Sequence, residues 1–260
     1  MLSHPIQRAL RPLQPPTLLQ SVWHRFFSRR SALIVQHLQN DLVHPEGIWA
    51  SRDCRNVVRP IRELLSYPGF NLRVGTTFNF SADLNRSDEV LSLSEEIRRS
   101  SQGSVPVLDS RHRSWGQKWI SGLDDNQFDL VMEKAAHPIV YNMSCFRDAH
   151  DNLINPSPGP DLSFDLLHQL RSRGITDIVL TGLAGDGWVA DTARDAVALG
   201  FNVFIVEDCL AYHNEEDWQL IKKDLMNKGV RIVRMDDADF EPFRGTNERS
   251  LDILEMPGSY

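Results

Sequence analysis

A chain of 260 residues can form one large domain or a domain with an extension, and 41% hydrophobic with 24% charged residues is ordinary for a globular protein. The formal net charge of −7 argues against general nucleic-acid binding, and no apolar run approaches the roughly eighteen residues of a membrane span. Three cysteines, Cys54, Cys145 and Cys209, are too few and too scattered for a disulfide framework or a zinc site, so a reducing interior is the plainer reading.

Residues 1–30 read as a basic extension. No Asp or Glu precedes Asp41, while Arg8, Arg11, Arg25, Arg29 and Arg30 all fall in this stretch. An Arg-rich, Ser-containing, acid-free segment has the composition of a mitochondrial transit peptide, and Leu18, Leu19, Val22, Phe26 and Phe27 supply a rough apolar face. Pro12, Pro15 and Pro16 favour a disordered basic tail locally. The transit reading is preferred, with a mitochondrial location, the alternative being cytoplasmic.

From residue 31 short apolar runs alternate with helical patterns, which predicts a mainly parallel α/β sheet over 31–235. ALIV (32–35) reads as a buried strand. RNVVRPIRELLSY reads as a helix with Pro60 in its early turns, and NLRVGTTF as the next strand. Between 79 and 127 the spacing predicts helices around DEVLSLSEEIRR and WGQKWISGL. FDLVMEK is a strand ending at Lys134. DLSFDLLHQLRSRG is a helix that Gly174 stops, and ITDIVLTG is a strand leading through a tight turn to a helix from about Asp186 to Leu199. FNVFIVED is a further strand. Asn214, with Asp217 three residues on, caps a helix that ends before Gly229. RIVRM closes the sheet, and 236–260 is a C-terminal tail that is expected to wrap the surface after about residue 240. The expected architecture is a three-layer α/β/α sandwich around a roughly six-stranded sheet, with ligands at the carboxyl ends of the strands.

At three strand ends the chain resembles the isochorismatase-like cysteine hydrolases, the family of nicotinamidases, ureidoacrylate hydrolases and isochorismatases. ALIVQHLQNDL is similar to the family's opening strand, ALLVIDMQNDF. FDLVMEK ends in the family's lysine. TGLAGDGWVADTARDAVALG is similar to the family form GLATDxCVxATAxDAxxxG. The resemblance covers roughly residues 31–235. It implies a catalytic Asp, Lys and Cys, in which a thiolate attacks a carbonyl carbon, the Asp moves the proton and a helix N-terminus activates the sulfur.

Carried position by position, only Lys134 matches that triad. The Asp position holds His37 and the nucleophile position holds Trp188. An indole N–H donates a hydrogen bond but has no atom to attack carbon. Trp188 is expected to fill much of the pocket, with Gly185 and Gly187 making room for its ring. Gln39, Asp41, Leu183, Ala184, Asp186 and Cys145 are expected to line what remains. Asp186 is expected to cap the following helix, and Cys145 to be a small buried thiol rather than a relocated nucleophile. The D-x-H that a nicotinamidase metal site needs after the second strand is missing from TTFNFSA, so neither metal nor cofactor is expected. Three readings follow. One is an inactive family member serving as a structural or interaction subunit, through other proteins or self-association, in a mitochondrial assembly. The others are a divergent isochorismatase- or amidase-type hydrolase and a non-catalytic small-molecule sensor.

Overall fold

The structure is a computed structural model that describes residues 29–47, 53–80, 115–136, 144–147 and 166–245. Six strands form one parallel sheet: β1 (Ser31–Gln36), β2 (Leu72–Phe80), β3 (Leu130–Ala136), β4 (Asp177–Gly182), β5 (Asn202–Leu210) and β6 (Arg231–Val233), in the order β3-β2-β1-β4-β5-β6. The helices are α1 (Asn40–Val43), α2 (Val58–Leu65), α3 (Leu166–Ser172), α4 (Trp188–Ala198), α5 (Glu215–Asn227) and α6 (Glu241–Arg244). The six-stranded parallel architecture expected from the alternating pattern is the one observed.

Strand periodicity divides the core into two layers. On one face of β1, Ala32 and Ile34 meet Val189, Ala190, Ala193 and Ala196 of α4, Leu166 and Leu170 of α3, and Trp218 and Leu225 of α5. On the other face Leu33 and Val35 meet Ile61, Leu64 and Leu65 of α2 and the pair Phe240 and Phe243. The central strands β1 and β4 are buried along their whole length, as apolar strands covered on both faces must be. Alanines at 190, 193 and 196 give α4 a smooth inner face that lies close to the sheet. The segment Ala238–Arg244 carries Phe240 and Phe243, both fully buried, into the second layer, so the core continues beyond β6.

Two expectations are corrected here. WGQKWISGL is not a helix: only Trp115–Gln117 forms a 3-10 turn, after which Trp119 makes an isolated antiparallel bridge to Gln39. Trp115, Trp119 and Ile120 have helical spacing, but Gly122 adopts φ +91° and the segment takes its backbone partners from residues 38–40 instead. The helix expected from Asp186 starts two residues later, at Trp188. The helix expected around DEVLSLSEEIRR lies outside the described residues, as do the first residues of the one expected from Asp161.

The reversal of strand order falls between β1 and β4, where the connections lead to opposite sides of the sheet. At the carboxyl end of this pair the backbones approach closely. Leu183 N donates to the Gln36 carbonyl at 3.1 Å, and a Cβ on Gly182 would lie 2.3 Å from that same oxygen. Gly182 also adopts φ +119°, outside the range comfortable for L side chains. Gly182→Ala is therefore expected to lower unfolding free energy by about 3 kcal/mol or more, from backbone strain and clash together. Urea denaturation checks this; a loss under about 0.5 kcal/mol, the level of an ordinary surface change, would refute the close-approach account.

Candidate functional site

Three chain segments converge at the switch point. The first follows β1: His37 has φ +64°, its N–H donates to the Thr76 carbonyl at 2.9 Å, and its carbonyl accepts from Gln39 N at 2.8 Å. These bonds hold a non-glycine residue in the left-handed region. The ring is completely buried, with Nδ1 3.5 Å from the buried Thr76 hydroxyl.

The second segment is the turn after β4. Ala184 also has positive φ, +55°, and its carbonyl accepts from Gly187 N at 2.9 Å and Val189 N at 3.2 Å. This folds the turn so that α4 begins at Trp188 with Gly187 as its N-cap and no side-chain cap. While Val189 and Ala190 enter the first core layer, the half-buried indole of Trp188 packs against the second. Its ring meets His37 edge to face, with centroids 4.7 Å apart and planes at 71°. His37 and Trp188 therefore touch.

The third segment is β3. The backbone of Lys134 pairs across from Phe78 of β2, one strand farther from the switch point than Thr76. Its side chain lies outside the described residues.

The other expected site residues take up supporting positions. Gln39 Nε2 donates to the Gln117 carbonyl at 3.0 Å, and Asn40 Nδ2 donates to the Trp115 carbonyl at 2.8 Å. With Asn40 N bonded to Lys118 O and Ile120 N to Leu38 O, the Gln39-Asn40-Asp41 run staples segment 115–120 onto the end of β1. Asp41 packs so tightly against Gly116 that a Cβ there would overlap its carboxylate. Leu183 is buried in the second core layer and Ala184 in the turn itself. Cys145 is buried, and its N–H donates to Thr192 Oγ1 at 3.1 Å, so its segment is fastened to α4 as a structural piece. Beside it Arg147 makes a two-pronged pair with Asp195, at 2.7 and 2.8 Å.

Two expectations about the turn are revised. Gly185 does not make room for the indole: a Cβ there would meet Leu210 of β5 at 2.6 Å, so its smallness serves the β4–β5 contact. Asp186 does not cap α4. Its carboxylate accepts from His213 N at 2.9 Å and Asn214 N at 3.2 Å, and its second oxygen lies 3.0 Å from His213 Nδ1. Asn214 in turn caps α5 by accepting from Glu216 N and Asp217 N. Asp186 thus ties the Trp188 turn to the start of α5. His213, 27 residues away in sequence, carried no local signal of that role.

This pair titrates against itself. Burial alone would raise the Asp186 carboxyl, but the hydrogen bonds and charge of His213 and the amide of Asn214 outweigh it and hold the group below its ordinary value. The hydrogen bond to Asp186 raises His213 above the ordinary imidazole value, against the opposing effect of burial. A raised histidine contributes stability that is complete below its unfolded pKa, about 6.5, and is lost as pH rises through the folded value. The lowered carboxylate contributes above its unfolded pKa, about 3.9, and its share is lost as pH falls toward the folded value. The pair is therefore expected to help most in mildly acidic solution. A proton NMR titration should give a His213 midpoint above that of a free histidine, and Asp186→Asn should bring it back. An unshifted midpoint in the unmodified protein would contradict the pairing.

Known proteins agree with this architecture. Residues 31–237 match the isochorismatase domain model. The chain is 23% identical over 228 residues to the nicotinamidase of Schizosaccharomyces pombe, which covers 82% of this chain and 97% of that one. By fold it is similar to PnC1 of L. infantum in complex with nicotinate, with TM-score 0.62, 21% identity, and coverage of 80% of this chain and 93% of the other. It is similar also to the yeast nicotinamidase Pnc1p, with TM-score 0.58, 18% identity, and coverage of 78% and 99%. The sheet order, the QND run after β1 and the GLAGDGWV turn after β4 converge with the domain match on one conclusion: the chain belongs to the isochorismatase family.

Proposed function

We propose that this isochorismatase domain has no hydrolase activity and serves as a structural or interaction subunit, in a mitochondrial assembly. The observation that carries the reading is the contact between His37 and Trp188: at the head of α4, where a helix N-terminus would activate a thiol, an indole stands against an imidazole. A His could accept a proton, but the residue beside it offers carbon edges and an N–H donor, neither of which forms a bond to an acyl carbon. Cys145 does not replace the missing sulfur, being buried within the first core layer on the opposite face of the sheet from the layer that takes up Trp188. The mitochondrial part rests on the acid-free, Arg-rich composition of residues 1–30.

One feature favours a second reading, a divergent amidase- or isochorismatase-type hydrolase: the family's lysine is kept, as Lys134, in a chain whose curated relative is a nicotinamidase. A sensor that binds a small molecule without turnover would use the same three positions.

Two measurements separate these. Purified protein incubated with nicotinamide, ureidoacrylate or isochorismate should give product at the buffer rate, because loss of a nucleophile alone removes on the order of 10⁶-fold of covalent catalysis. A kcat/KM in the ordinary enzymatic range, about 10⁴ M⁻¹s⁻¹ or above, would establish the hydrolase instead. Affinity purification from mitochondria should recover the chain with other subunits at fixed stoichiometry, and recovery as a lone monomer would count against the assembly role.

A further inference from the structure

The entrance to β1 is held by a buried charge that the switch-point residues do not use. Asp177, the first residue of β4, is completely buried, and its Oδ1 accepts from Asn202 Nδ2 at 2.7 Å. Its other oxygen lies 2.9 Å from Arg29 Nε. The contact falls off the N–H axis, so it acts as a charge pair rather than an aligned hydrogen bond. The Arg29 guanidinium also stands 5.8 Å from the centroid of the buried Phe204 ring. The next residue is fastened through its backbone: the Arg30 carbonyl accepts from Thr176 N at 2.8 Å and Asp177 N at 3.1 Å. Ser31 N then donates to Asn71 Oδ1 at 2.9 Å.

Taking the cation away from a buried carboxylate is among the more damaging changes a fold can undergo, since the remaining charge has neither water nor a partner of opposite sign. Hydrolysis of the Arg30–Ser31 bond would add one water, leaving a carboxylate on Arg30 and an ammonium on Ser31. It would detach Arg29 from Asp177 and free the carbonyl that the Thr176 and Asp177 amides share. A protease must first draw several residues out of the fold to reach that bond.

We propose that Arg29 and Arg30 are part of the folded domain, and that proteolytic removal of the basic segment stops upstream of Arg29, so that the mature chain keeps this clamp. The clamp stands on the geometry alone, whereas the processing step rests on the leader reading given above.

Trypsin tests the clamp on the full chain, because it recognises both arginines. Cutting after Arg29 and Arg30 should be at least about 100-fold slower in the native protein than in the denatured chain at equal protease. Arg29→Gln keeps the Arg30 site and should raise native cutting there roughly tenfold. Equal rates in native and denatured protein, or no change in the variant, would overturn the clamp; the first comparison needs no variant to fold. Mass spectrometry of the protein isolated from cells should find a mature chain that begins downstream of Met1 and no later than Arg29, and a start at residue 30 or later would overturn the proposal. A chain still beginning at Met1 would remove the leader reading, leaving the trypsin comparison to decide the clamp.

Discussion

The structure turns on the close approach of β1 and β4 at their carboxyl ends. These strands are neighbours in the sheet, yet the chain leaves them in opposite directions, so their ends open the crevice where this architecture places its ligands. Gly182, with no Cβ to hold them apart, lets Leu183 bond to the Gln36 carbonyl. Residues immediately beyond the two strands, His37 on one side and the turn leading to Trp188 on the other, are thereby brought into contact. Their meeting is thus set by the sheet.

Buried polar groups behind that junction tie its elements to one another. Gln36 stands at the end of β1, where the resembling family has an apolar residue, and its Oε1 lies 3.5 Å from the Thr192 hydroxyl of α4. Thr192 Oγ1 also accepts the Cys145 amide, so one hydroxyl on α4 links the strand, the helix and the 144–147 segment. Arg147 closes on Asp195 one turn lower. In a low-dielectric interior such connected groups favour one arrangement, since each that loses its partner costs more than a neutral contact would. On the crevice side Asp186 does the equivalent for α5 through His213 and Asn214.

The sheet was legible because its signals are local and redundant. Apolar runs of the right length, Gly174 and Gly229 at helix ends and Asn214 as a cap each state their meaning within a few residues, and the structure uses them so. The expectation that His37 and Trp188 stand at the family's Asp and Cys positions rests on register against QND and GLAGD. Less legible was whatever depended on pairs distant in sequence. WGQKWISGL has helical spacing, but its partners are residues 38–40, and the resulting backbone bonds outweigh the weak local preference. Asp186 sits where a cap would, yet its acceptors are claimed by residues 213 and 214. Gly185 looked like space for an indole because both lie in one turn, whereas the contact that requires it comes from β5.

One feature could be taken to contradict an inactive site. His37 and Ala184 keep positive φ angles, a strain that clusters where chemistry is done. The backbone bonds supply another cause. His37 N donates to the Thr76 carbonyl as the next rung of the parallel β1–β2 ladder, but Gln39 N reaches the His37 carbonyl only because the chain turns sharply after β1, and Gly187 and Val189 reach the Ala184 carbonyl only because the β4 turn is equally tight. Removing either turn would leave buried amides without acceptors next to the central strands, a cost comparable to the strain itself. The unusual angles are thus demanded by the sheet and the start of α4, whatever side chains they carry. They mark where a reactive group would be presented in this fold, and the side chains at 37 and 188 decide whether one is.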